Sequence, residues 1–167
     1  VTSAIMGIML PTATDNGGRL AAILPTGLAA LARGLGRGLE SAFDEAGRPD
    51  ALPGVLATPP DLLPPIRSLV VIAVDGLGSA NLKARAGHAP TLASLPQRRI
   101  TTVTPSTTAA ALTTLATGAL PGEHGLVGYR IMHPELGLLS PLRDWEGIPD
   151  ARVWQHSEPL FRAAGRL

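Results

Sequence analysis

Cysteine is absent from the chain, which excludes disulfides and thiolate metal sites and leaves only oxygen and nitrogen ligands for any metal. Aromatic residues are scarce at 3%, while Ala, Leu and Gly dominate. Lysine occurs once, as Lys83, and the formal net charge is +1. With no basic block, binding to a nucleic-acid polymer is not expected. No apolar run reaches the roughly 18 residues of a membrane-spanning helix. The apolar opening, Val1 to Leu10, has no basic leader and meets Pro11, so it does not read as an export signal, and the cytoplasm is the default compartment.

What is present fits one globular domain. The chain has 167 residues, 45% of them hydrophobic, enough for a sizeable core. The 19 Gly and 16 Pro imply that part of it is loop. Asp15-Asn16-Gly17-Gly18 is a turn signal, and Leu20, Ile23, Leu24, Leu28, Leu31 and Leu35 fall at helical spacings after it. Pro25 and Gly27 interrupt that pattern, which predicts a short turn and then a helix from about Pro25, with Pro at its first position. This helix reads as a docking element on a sheet. Residues 34–65 are Gly/Pro-rich and weakly periodic, and read as a connection wrapping the surface. The chain thus divides into an amino-terminal helix and connection, 1–66, and an α/β unit, 67–167.

The α/β unit opens with the continuous apolar run 69–74, LVVIAV. Its β-branched content fits a strand buried on both faces of a parallel sheet. The run ends in Asp75-Gly76, at the carboxyl end where α/β sheets gather ligands. Asp75 reads equally well as a turn residue capping a helix that starts near Ser79. Short helices are expected over 79–86 and 90–95, and a second strand over 98–103. Pro105 stops that strand, because the residue before proline disfavours helix geometry. Ser106, Thr107 and Thr108 then offer cap oxygens to an Ala/Leu helix that Gly118 can close. A helix start of this kind favours an anion such as phosphate; the alternative reading is that one hydroxyl caps the helix and the others face solvent. The order strand, helix, strand, helix is a βαβα unit with a right-handed crossover, giving an α/β fold with a mainly parallel sheet flanked by helices. If the two strands are neighbours, Asp75 and the hydroxyl cluster face each other across one sheet edge.

Beyond Gly118, His124 lies in a glycine-flanked loop. Residues 129–133 and 138–142 read as a hairpin over the site. Trp145 and Trp154 bracket a polar turn, and Ser157 begins a capped helix.

A hydrophobic strand ending in Asp-Gly, then Pro105-x-x-Thr108, an Ala/Leu/Thr helix, Thr117-Gly118 and Pro121-x-x-His124-Gly125 resembles the alkaline phosphatase superfamily. Within it, the likeness is to the type I phosphodiesterase/nucleotide pyrophosphatase branch, over 67–129. The resemblance implies hydrolysis of a small phosphoester or nucleotide substrate through a phosphothreonine intermediate. Thr108 is then the nucleophile, with Thr107 the runner-up if the turn is shifted by one. Asp75 and Thr108 are metal contacts, and the backbone near Thr108 and Ala109 holds phosphate. The implied cofactors are two divalent ions, Zn2+ by family. Ala111 stands where the resemblance implies an Asn that steadies a phosphate oxygen, so that contact must come from elsewhere.

The rest of the implied metal set, as Asp-x-x-x-His, Asp-His and a late His, has no counterpart in spacing after Thr108. His124, by resemblance, shapes its turn and is not a ligand; His133, Asp144, Asp150 and His156 read as ordinary polar residues. The chain is therefore expected to be the amino-terminal half of a catalytic domain, inactive alone, with most ligands beyond Leu167. The other readings are a natural short form acting as an interaction module, and a sulfatase, phosphomonoesterase or phosphomutase of the same superfamily. Oligomeric state is not legible.

Overall fold

The computed structural model describes residues 18–43, 63–144, 146, 155 and 157–167. Helices α1 (Gly18–Ala21) and α2 (Ile23–Gly34) open it, followed by a 3-10 turn over Leu39–Ala42. After the connection come α3 (Ser79–Ala84), a 3-10 turn at Ala86–His88, α4 (Pro90–Ser94), α5 (Thr108–Thr117) and α6 (Pro121–His124). Strands β1 (Ile131–His133) and β2 (Gly137–Leu139) and helix α7 (Leu160–Ala164) complete the order.

The core is helical. Leu24 and Leu28 of α2, Ala42, and Leu160 and Ala163 of α7 are buried together, with Leu31, Leu69 and Leu115 packed against them. Helices α1, α2, α6 and α7 all contact α5. Alanine permits this closeness: Ala30 and Ala32 on α2 and Ala110 on α5 are fully buried, and small side chains shorten the distance between packed elements. Gly27 contributes in the same way, since a Cβ there would stand 2.5 Å from Leu69 Cδ2. The Ile66 N–H donates to the Ala30 carbonyl at 3.1 Å, so the chain entering 69–74 is held along α2.

Helix α2 begins at Ile23, two residues before the proline expected to start it. Pro25 occupies the third position, where its missing N–H is still one of the helix's unused donors. The helix carries the expected apolar stripe. Helices α3 and α4 lie where the sequence places them. Gly118 ends α5 at φ 72°. The expected hairpin forms as an antiparallel pair, Ile131 opposite Leu139 and His133 opposite Gly137. Gly137 has a φ of 75°, and the His133 Nδ1 accepts the N–H groups of Glu135 and Leu136, both at 3.2 Å.

The parallel sheet is the point of correction. Among the described residues the only sheet is the two-stranded β1–β2 pair, and neither 69–74 nor 98–103 belongs to a strand. The side chains of residues 69–74 are not covered on both faces as expected but alternate between two surroundings. Leu69 turns toward Gly27 and α2, while Val70, Ile72 and Val74 line an open groove of about 470 Å³ with Leu77, Leu82, Leu92 and Leu95. Val70 and Ile72 are each 81% exposed. A run buried on both faces needs backbone partners on its edges as well as cover; among the described residues, 69–74 pair with no strand, and only Leu69 is packed into the core. The α7 start also differs: its cap position is Pro159, without a side-chain bond, not Ser157. The turn at 15–18, most of the 34–65 connection, and Trp145, Asp150, Trp154 and His156 lie wholly or largely outside the described residues.

Candidate active site

The three hydroxyls at the start of α5 have separate surroundings. Thr107 is the cap residue; its Oγ1 accepts the Ala110 N–H at 3.4 Å. The same hydroxyl donates to the Val127 carbonyl at 3.4 Å, fastening the loop after α6 to the helix start. Ser106 is exposed, while Thr108 is half-buried at the first helical position. The peptide before Pro105 is cis.

Thr108 Oγ1 lies 3.3 Å from Asp75 Oδ2 and 3.0 Å from the Tyr129 hydroxyl. The carboxylate can only accept, so the threonine proton points to Asp75. The Tyr129 O–H must then donate to Thr108. The result is a chain of donors, Tyr129 to Thr108 to Asp75. Asp75 does not cap the following helix: that position is Gly78, and the turn is closed by Gly76 at φ 69° and by the Asn81 side-chain amide donating to the Gly76 carbonyl at 3.2 Å.

Helix geometry adds an anion-facing surface. The first intrahelical bond in α5 is Ala111 N–H to the Thr107 carbonyl at 2.9 Å. The N–H groups of Thr108 and Ala109 precede it and stand at the positive end of the ten-residue helix.

His124 is buried at 1% exposure. Its Nδ1 accepts the Leu126 N–H at 3.1 Å, and its Nε2 meets the Thr114 hydroxyl at 3.0 Å. Nε2 therefore carries the proton. Burial, the largest influence, lowers its pKa below 6.5; hydrogen bonding to its own backbone and that of Ala110, and the Glu123 charge, oppose this. With both nitrogens engaged inside the protein, His124 braces the loop toward Tyr129.

The profile of the family described as type I phosphodiesterase / nucleotide pyrophosphatase matches residues 69–166, more than half of the chain and inclusive of Asp75, Thr108 and Tyr129. The chain belongs to this family. Comparison with curated proteins and with solved structures gives no match.

Sequence reasoning singled out Asp75, Thr107, Thr108 and Ala109, and the fold gathers all four at one end of α5. It missed Tyr129, noted there only as the first residue of the hairpin expected over the site. Its available signal was position: a lone tyrosine directly after the loop that returns to the helix start. The implied pair of metal ions is not matched by the donors. Among the described residues no three His, Asp or Glu side chains converge. Asp144 is committed to a turn, its Oδ2 accepting the Ser140 N–H at 2.6 Å. The described residues thus offer Asp75 beside the Thr108 hydroxyl and do not build a two-zinc site.

Proposed function

We propose that this member of the family cleaves small phosphodiester or nucleotide substrates by transferring the phosphoryl group to Thr108. The observation that carries the reading is the placement of Thr108 Oγ1, at the start of α5 and 3.3 Å from the Asp75 carboxylate. A threonine hydroxyl is a weak nucleophile unless a neighbour takes its proton. Asp75 Oδ2 accepts that proton as Oγ1 attacks phosphorus, the Oγ1–P bond forms, and the bond from phosphorus to the leaving oxygen breaks. The leaving oxygen takes a proton from solvent. The N–H groups of Thr108 and Ala109 face the phosphoryl oxygens, where donors fixed in advance act on developing charge. The phosphothreonine keeps the substrate's second ester group; water attacks its phosphorus, the P–Oγ1 bond breaks, a phosphomonoester leaves, and the proton held by Asp75 returns to Thr108 Oγ1. Zinc dependence belongs to the same proposal, but no step is assigned to the ion, and zinc binding by the residues described here is expected to be weak.

The test is Thr108→Ala in the intact protein with an aryl phosphodiester, beside mass spectrometry of acid-quenched wild type for a phosphorylated Thr108 peptide. Loss of turnover in the variant and a phosphopeptide in the wild type are expected. Turnover at the wild-type rate in Thr108→Ala would sink the assignment. An aryl sulfate and an aryl phosphomonoester, assayed in parallel, define the ester class.

A further inference from the structure

We propose that His124 is a proton-operated latch on the loop 125–129: uncharged, its ring holds the loop to α5, and on gaining a proton it releases the loop while the helices stay folded. The proposal concerns the loop alone and stands whether or not Thr108 is the nucleophile.

The ring joins two elements. Its Nδ1 accepts the Leu126 N–H at 3.1 Å, and its Nε2 stands 3.0 Å from the Thr114 hydroxyl of α5. A ring nitrogen that accepts a backbone N–H carries no proton of its own, so the ring is uncharged and its one hydrogen is on Nε2. The loop has few other fastenings. Of residues 125–129 only Leu126 is buried. The Val127 carbonyl accepts from Thr107 at 3.4 Å, long for a hydroxyl donor, and at the far end the Tyr129 hydroxyl is 3.0 Å from Thr108 Oγ1. Gly125, at φ 76°, gives the backbone a point about which to swing.

A second proton on the ring can go only to Nδ1. It turns the acceptor into a donor, and N–H would then face N–H across the same 3.1 Å. Nε2–H donates to Thr114 in both states, so the proton breaks the contact to the loop and spares the contact to the helix. A charged ring is also costly in this buried junction, and moving Leu126 aside opens the charged edge to water. Burial, the largest influence, holds the pKa below 6.5. The latch is therefore closed above 6.5 and opens as pH falls from there through the folded value. Glu123, next to the ring on α6, favours the charged form. Helix α5, against which α6 packs, has no ionisable side chain in its ten residues, and the loop's one such group, Tyr129, is turned to Thr108.

Amide hydrogen exchange of the intact protein, followed by NMR from about pH 7.5 to about pH 5, reads the latch directly. Each rate is compared with that of an unstructured peptide at the same pH, so the chemical effect of pH cancels. Protection of the Leu126 amide is expected to fall by about tenfold per pH unit below 6.5 until the folded pKa is passed. The Ala111 and Gly118 amides of α5, bonded to the Thr107 and Thr114 carbonyls, are expected to keep theirs. In His124→Gln, whose amide oxygen can accept the Leu126 N–H at any pH, the fall is expected to vanish. Leu126 protection that ignores pH in the wild type overturns the inference, as does a fall that α5 shares equally, since that is unfolding and not release. A fall that survives in His124→Gln belongs to another group, Glu123 first, and overturns it too. If that variant does not fold, the contrast between Leu126 and α5 in the wild type decides alone.

Discussion

His124 Nε2 and Thr114 Oγ1 stand 3.0 Å apart in the buried junction of α5 and α6. The contact ties the middle of the helix that starts at the site to the loop that returns to it. Thr114 is fully buried and His124 nearly so, so neither partner can turn to water if the other is lost.

The histidine makes stability pH-dependent. Its folded pKa lies below the unfolded 6.5, so between the two values the unfolded chain binds the extra proton and folding is penalised. The contribution is full above 6.5 and is lost as pH falls from there through the folded value. Urea midpoints of the wild type are expected to drop as pH is lowered below 6.5, and His124→Gln is expected to flatten that part of the profile. An equally steep fall in the variant would assign the effect to other groups.

Thr107 and Thr108 separate by experiment. Thr107 caps α5 through a long bond to the Ala110 N–H, so Thr107→Ala is expected to cost about 0.5–1 kcal/mol in unfolding free energy, the lower part of the range for a lost cap. Thr107→Ser should restore it. Thr108 makes no cap bond, and Thr108→Ala should leave the urea midpoint nearly unchanged. A larger loss of stability at Thr108 than at Thr107 would reverse the two roles.

These contrasts show what could be read from the sequence. Caps, closing glycines and the hairpin are decided within a few residues, so Gly118, Thr107 and the β1–β2 turn follow from local chemistry. Pro25 was misplaced by two positions because every site in a helix's first turn tolerates proline. Strand pairing of 69–74 is a different matter. It depends on segments distant in the chain, and a continuous apolar run says that both faces call for cover without saying what meets them. The juxtaposition of Asp75 and Thr108 could be anticipated because two extended runs each lead through a polar group into a helix. Tyr129 was not, because a tyrosine in a loop acquires meaning only from where the loop returns.

Gly118 is expected to resist substitution. Its φ of 72° is left-handed, and an added Cβ would stand 3.3 Å from both Leu160 Cδ1 and Pro25 Cγ. Left-handed backbone costs an alanine about 1–2 kcal/mol, and the tight contacts with α2 and α7 add to that. Gly118→Ala should therefore lower the urea midpoint more than Thr107→Ala does. The same midpoint in both would mean that the end of α5 relaxes without strain.

Asp75→Asn tests the proton path most directly. The substituted amide keeps the size of the side chain and one accepting oxygen, and Asp75 is exposed, so folding should be unaffected. What is lost is a group able to take the proton from Thr108 Oγ1. Removal of a positioned base typically costs about 10²–10⁴-fold in rate, and a fall of that order is expected in the appearance of the phosphorylated Thr108 peptide. The decrease should shrink as pH rises, because hydroxide in solution can replace the missing base. A variant that forms the phosphopeptide as fast as the wild type would show that Asp75 is not the acceptor of the threonine proton, and the 3.3 Å contact would then be one that orients Thr108 and does not activate it.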